Sequence, residues 1–382
     1  MQTARSTTVT AAKGQFSSQS VFRSMSFAFF FLASALIAAT PASANFDNFV
    51  ERLWPDARAR GVSKTLFDRV FSGMTPDAEV IALSRRQPES IETIGAYMTK
   101  RVSDLRIAKG RAMATEWSGT LDRIEQSYGV DRYVVLSIWG NETNFGGYLG
   151  GHSVVRALAT LAYSGSRSAY FRKELLTALQ ILAEGHITPE GMVGSWAGAM
   201  GHTQFMPSSF KALAVDFTGD GRRDIWTSIP DALASSANYL RRMKWRTGEA
   251  WGYEVILPPG FDVSHGVKIG NASIPTWQKL GVARVRGQQF PRASDKARLY
   301  LPAGTRGPAF LLLPNFQVIK RYNNSNKYAL AVGHLADRIR GGGPFETAWP
   351  ADQAWNLKAT SSSIQIADRS IGDGAQLERV ID

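Results

Sequence analysis

Trp139-Gly140-Asn141-Glu142-Thr143-Asn144-Phe145-Gly146 closes an apolar run that starts near Asp131 and carries Val134, Val135 and Ile138. Apolar residues at three- and four-residue spacing read as a helix packed on a core. The stretch therefore sets one carboxylate, Glu142, at a helix C-terminus between two aromatic residues. That end is the negative pole of the helix macrodipole, and Trp139 and Phe145 lower the polarity around it. Both effects disfavour the charged form and raise a carboxyl pKa, the condition a general acid needs near neutral pH. From position alone, a surface Glu closing a helix is the simpler reading.

A second stretch outweighs it: Gly194-Ser195-Trp196-Ala197-Gly198-Ala199-Met200-Gly201, running on to Gln204-Phe205-Met206-Pro207. It is too rich in glycine for an ordinary helix. Gly194, Gly198 and Gly201 let backbone come close to a ligand, and Ser195 and Gln204 offer partners to hydroxyl and acetamido groups. A lone acid facing a polar, glycine-lined wall suits a sugar-cleaving cleft.

Around these stretches the chain reads as mainly helical. Residues 45–128 form a helical N-terminal part, with Phe46, Phe49, Val50 and Leu53 on one face and Leu66, Phe67, Val70 and Phe71 on another. A helix bearing Leu121, Ile124 and Tyr128 stops at Gly129. Residues 129–250 form a core that includes a helix over 167–184 (Tyr170, Phe171, Leu175, Leu179, Leu182) and one from Ser228 to Lys244, with Pro230 and Asp231 in its first turn. Residues 251–315 form a small β domain, with strands expected at 253–257, 297–301 and 309–313. A further strand is expected at 316–320, in the segment 316–345 that returns to the core. Helix resumes near Tyr328 and ends at Gly341, and 346–382 is a polar tail. The fold class is α+β, mainly α.

The 382 residues are 44% hydrophobic and 20% charged, an ordinary globular composition. Arg5, Lys13 and Arg23 precede an apolar run from Phe27 to Ala39 and then Pro41-Ala42-Ser43-Ala44. This is the pattern of a secretory signal peptide, residues 1–44, cleaved after Ala44. The run is shorter than the roughly 20 residues a membrane span needs, so no stable anchor is expected after cleavage. Cysteine is absent, which excludes disulfides and an N-terminal lipid-modified Cys. Loss of the leader's three basic residues lowers the formal charge from +12 to +9. A basic exported protein suits an anionic polymer such as peptidoglycan glycan strands in the periplasm; nucleic acid fits the charge but not the export signal.

Asp216-Phe217-Thr218-Gly219-Asp220-Gly221-Arg222 opens like an EF-hand loop. Oxygen ligands stand at places one, three and five, Gly at six and the Arg222 carbonyl at seven. The twelfth residue is Thr227, not Glu, and Asp231 is the candidate to close the site. Calcium is expected there in a structural role, ahead of an ordinary Asp/Gly turn. No cofactor is expected for catalysis. His152, His186 and His202 lack metal-ligand spacing and read as incidental, and Arg241–Arg246 reads as a solvated basic helix end.

Three pieces, Trp139–Gly146, Gly194–Pro207 and Arg321-Tyr322-Asn323-Asn324-Ser325-Asn326-Lys327-Tyr328, resemble in order those of the lytic murein transglycosylase B family, glycoside hydrolase family 103. The resemblance runs from about Asn45 to Arg340. It implies a lysozyme-like core with a helical N-terminal part and a small antiparallel β domain. It also implies cleavage of the MurNAc–GlcNAc β-1,4 bond without water, leaving 1,6-anhydro-MurNAc ends. By that resemblance Glu142 is the sole acid/base, and Ser195, Gln204, Tyr239, Tyr322, Asn323 and Tyr328 contact substrate. Met200 would pack on a sugar, and a calcium-ligating Asp is implied near Asp231. A hydrolytic muramidase, which normally needs two carboxylates, and a non-catalytic peptidoglycan-binding scaffold are the alternatives.

Overall fold

The computed structural model describes residues 41–85 and 92–350. The expected leader, apart from its last four residues, and the tail beyond 350 lie outside the described residues. The N-terminal part is a run of short helices: α1 (Pro41–Glu51), α2 (Trp54–Ala59), α3 (Lys64–Phe71), α4 (Ala78–Arg85), α5 (Ile94–Arg101), α6 (Asp104–Glu116) and α7 (Ser118–Tyr128). Ser63, Thr93 and Ser103 cap α3, α5 and α6 by accepting from backbone N–H groups. Helix α1 runs across the expected cleavage point and buries Phe46.

The central helix is α8 (Arg132–Thr143), capped by the Asp131 carboxylate and buried along most of its length. Then come β1 (His152–Ser153), α9 (Val154–Ser164), α10 (Ser168–Ala183), β2 (Val193–Gly194), α11 (Pro207–Leu213) and α12 (Ile229–Arg242). The short strands β1 and β2, absent from the sequence reading, pair antiparallel with His152 opposite Gly194. They join the loop that follows Glu142 to the start of the Ser195 wall.

The β region follows: β3 (Gly252–Ile256), α13 (Val263–Ile269), β4 (Ala272–Ser273), α14 (Ile274–Lys279), β5 (Ala283–Arg284), β6 (Lys296–Tyr300), β7 (Pro302–Thr305) and β8 (Ala309–Leu312). Its antiparallel sheet has the order β4-β6-β8-β3-β5 and a small core of its own around Trp277, Ile274 and Leu311. The chain returns to the larger core through α15 (Pro314–Tyr322) and α16 (Asn326–Arg340).

The strand expected at 316–320 is therefore helix. Phe316 and Val318 alternate as a strand would, but Pro314 presets the first helical turn. Phe316 and Ile319, three apart, are both fully buried on one helix face. Sequence alternation over five residues was outvoted by packing.

Trp251, at the entry to the sheet, is buried against α16. A Cβ added to Gly333 would lie 2.5 Å from its ring, and its indole N–H donates to Asp337 Oδ2 at 2.8 Å. Gly333→Ala should overpack this contact and cost about 1–3 kcal/mol. Urea unfolding should show the midpoint fall with little change in slope.

Candidate active site

Glu142 is the penultimate residue of α8. The helix ends because Asn144 and Phe145 both take left-handed backbone angles (φ 52° and 55°). For a bulky residue such as Phe145 this conformation is strained, and it is held by packing. The Phe145 ring stands edge-on to Trp139, with centroids 5.6 Å apart. The Trp139 indole N–H donates to His202 Nδ1 at 2.9 Å. Burial holds His202 below its ordinary pKa, so the neutral ring keeps the lone pair that this bond requires. His202, read from sequence as incidental, ties the acid's helix to the second motif.

Four groups surround the acid electrostatically. The Tyr328 hydroxyl donates to Glu142 Oε1 at 2.6 Å. Arg101 presents a cation that favours the carboxylate, while Tyr97 and Tyr322 lie close enough for the Glu142 charge to raise their own pKa values. Burial dominates for Glu142: despite Tyr328 and Arg101, which lower it, its pKa stands at about 7 against an ordinary 4.5. Among the described residues no second carboxylate is among the groups that shift it. Arg101 also donates from Nη1 to the Asn141 carbonyl at 3.0 Å, and Lys109 Nζ donates to the Asn144 carbonyl at 2.8 Å. Two cations from α5 and α6 thus sit on the carbonyl end of α8, where the macrodipole favours positive charge. Sequence reasoning missed both, since they lie more than thirty residues upstream in helices that otherwise read as packing.

The second motif is a loop folded on itself. Met200 and Phe205 exchange backbone hydrogen bonds at 2.8 and 3.2 Å, and Gln204 takes φ 51°. Ser195 Oγ accepts from the Ala199 N–H at 3.0 Å, which leaves the hydroxyl proton free to donate. Gln204 spends its amide N–H groups on the Leu149 and Gly201 carbonyls and keeps its carbonyl oxygen for a donor. The wall therefore offers one donor and one acceptor, as a polyhydroxylated ligand needs.

The other expected contacts divide into facing and supporting groups. Met200 is fully buried, so the expected packing of its side chain on a sugar is corrected: it supports the wall from behind. Tyr239 is also buried, with its hydroxyl donating to the Arg321 carbonyl. Tyr322 donates to the Thr203 carbonyl at 2.8 Å and packs at a tilt against Tyr239, centroids 4.8 Å apart, with Phe205 beside both. Asn323 is exposed at the end of α15.

The acidic loop lies next to this wall, since the His202 N–H donates to the Ile225 carbonyl at 2.9 Å. Asp216, Asp220 and Asp231 bring carboxylate oxygens within 4.8 Å of one another. Asp231 is fully buried and accepts from the N–H groups of Phe217, Thr218 and Asp224. Thr218 and Arg222 are exposed; the Thr218 hydroxyl donates to Asp216 at 3.3 Å and the Arg222 guanidinium pairs with Asp220 at 3.3 Å. Two oxygen donors from the loop and one from the first turn of α12 converge, a set that fits a hard divalent cation.

The chain is similar to several known proteins. The transglycosylase SLT domain family matches residues 45–337. The membrane-bound lytic murein transglycosylase B of Escherichia coli K12 is 35% identical over 250 residues, which cover 64% of this chain and 66% of that protein. The crystal structure of SltB3 from Pseudomonas aeruginosa in complex with NAG-NAM-pentapeptide is 43% identical, with TM-score 0.79 over 85% of this chain and 88% of that one. The Escherichia coli lytic transglycosylase Slt35 in complex with calcium is 30% identical, with TM-score 0.64 over 78% of this chain and 92% of that one.

A raised carboxyl pKa is also a stability statement. Below about pH 4.5 Glu142 is protonated in both folded and unfolded chains, and no penalty applies. Between 4.5 and about 7 the unfolded chain loses its proton first, and the folded state loses ground; above 7 the full penalty is present. Glu142→Gln should therefore stabilise the protein at pH 8 by about 3 kcal/mol, and the gain should vanish at pH 4. Urea titrations at the two pH values measure it.

Proposed function

Because the chain belongs to the transglycosylase SLT family, we propose that it acts on peptidoglycan as a lytic murein transglycosylase, with Glu142 as its acid and base. The observation that carries this is a single desolvated carboxyl at the end of α8, bonded to Tyr328, with no carboxylate partner shifting it. With a pKa of about 7 it holds a proton at neutral pH yet releases it readily. Glu142 gives that proton to the glycosidic oxygen as the C1–O bond of MurNAc breaks. The resulting carboxylate then takes the proton of the MurNAc C6 hydroxyl as that oxygen bonds to C1. The products are a free GlcNAc hydroxyl and a 1,6-anhydro-MurNAc end, with no water consumed. Hydrolysis by the usual retaining or inverting route calls for a second carboxylate, so the one-acid site favours the internal nucleophile.

Ser195 and Gln204 bind sugar substituents from one side, and Tyr328 orients the acid. Tyr322, Tyr239 and Met200 hold the wall, and Asn323 extends the polar rim. The basic leader pattern supports export to the periplasm, and the net positive charge suits an anionic polymer there. Among the described residues no helix is long and apolar enough to cross a membrane. Asp216, Thr218, Asp220, Arg222 through its carbonyl, and Asp231 would hold a calcium ion. Its contribution would be structural, stiffening the loop behind His202.

Digestion of purified peptidoglycan followed by mass spectrometry tests the reaction. The muropeptides should be one water lighter than hydrolysed ones, and Glu142→Gln should release none. Reducing MurNAc ends alone would reject the reading. Activity should fall as pH rises through about 7, because the acid form is lost. Arg101→Gln and Tyr328→Phe each remove a group that lowers the acid's pKa, so the alkaline limb of the pH–rate profile should move up by about half a unit or more. Millimolar calcium should raise the melting temperature and a chelator should reverse it. Asp220→Ala should abolish that response while leaving the acid in place.

A further inference from the structure

Six residues past Glu142 stands Tyr148, at 70% the most exposed aromatic side chain among the described residues. The other large apolar side chains that are exposed do not compare. Leu105 and Ile256 are aliphatic, and Tyr170 lies against Arg167 and Phe171. Tyr148 has no ring or cation neighbour and its hydroxyl makes no hydrogen bond among those residues.

Its loop is fixed at both ends. The Tyr148 N–H donates to the Thr143 carbonyl at 3.1 Å, directly after the acid, and the next carbonyl, Leu149, receives the Gln204 amide at 3.1 Å. Gly150 then meets the second wall so closely that an added Cβ would lie 2.0 Å from the Gly194 carbonyl oxygen and 2.7 Å from the Ser195 nitrogen. Its φ of 102° is likewise open only to glycine. The Tyr148 hydroxyl reaches toward Gly151, 3.8 Å from where a Cβ there would stand. An apolar ring is thus held in water, on a strained and anchored loop, along the rim that links Glu142, Gln204 and Ser195. Exposing it gains nothing for the fold.

We infer that Tyr148 is a stacking platform for a pyranose ring of the glycan strand, an outer subsite beyond the sugars that flank Glu142. This rests on the peptidoglycan reading above. A pyranose presents an apolar C–H face with hydroxyls around its edge. Tyrosine matches both, with an aromatic face and a hydroxyl, at small entropic cost because its ring turns about two bonds.

The experiment compares the wild-type protein with Tyr148→Ala, Tyr148→Phe and Tyr148→Trp on peptidoglycan strands of graded length, reading KM from muropeptide release. Retention on insoluble murein, which needs no turnover, is measured in parallel. The Ala variant should raise KM for long strands about three- to tenfold and weaken retention comparably, with the rise shrinking as strands shorten. The Phe and Trp variants should stay within twofold of wild type. Leu105→Ala serves as a control for losing an exposed apolar side chain elsewhere and should change neither readout. Unchanged retention and KM in Tyr148→Ala at every length overturn the subsite. Absence of release by the wild-type protein overturns the catalytic reading instead, and retention then still decides whether Tyr148 holds a sugar.

Discussion

The site depends on how the carbonyl end of α8 is held. A carboxyl there meets the negative pole of the helix and loses water on burial, and both effects favour its protonated form, burial most. Two groups, Tyr328 and Arg101, pull the other way. Tyr328 from α16 donates to the carboxylate, while Arg101 and Lys109 from the N-terminal helices neutralise the last carbonyls. The outcome is an acid poised near pH 7. The role proposed for Glu142, giving and receiving a proton in one cycle, would need that balance, because a carboxyl bound too firmly to its proton makes a poor base.

Those contacts also explain why so many elements converge on one turn of helix. The acid, its tyrosine and its cations come from segments about 40 and 190 residues away in sequence. The aromatic pair Trp139 and Phe145 keeps the turn in a strained shape, and His202 fastens it to the glycine-rich wall. Behind that wall, Phe205, Tyr239 and Tyr322 form a packed aromatic trio, and the two tyrosine hydroxyls donate to backbone carbonyls. Rigidity here would serve the sugar contacts proposed for the wall, since polar groups that drifted by about an ångström would lose much of their grip.

Much of this was legible in the sequence, for physical reasons. Glu142 stood at the end of a periodic apolar run, and the Ser195 loop announced itself through glycines that local propensity alone would not select. The helix expected over 167–184 forms at 168–183 and the strand expected at 297–301 forms at 296–300, as 3.6- and 2-residue periodicity implies. The failures were of a different kind. The segment 316–320 looked like a strand because five residues cannot distinguish alternation from one helical face without knowing what lies beneath. Met200 looked like a ligand contact, but a loop's inward and outward sides depend on its hydrogen bonds. Arg101, Lys109 and His202 carry no local signature, because their importance comes from distance in space rather than in sequence.

The strand of chain after α16 has a consequence for anyone who shortens or fuses this protein. Phe345 stacks on His334 with centroids 3.7 Å apart, the Glu346 and Thr347 N–H groups dock on the Glu254 carboxylate, and Trp349 lies against Gly95 at the start of α5. This closing strap buckles the sheet to the same short helix that delivers Arg101. Trimming back to Gly343 would unfasten that helix and detune an acid some two hundred residues earlier, so a tag or partner domain belongs after Pro350.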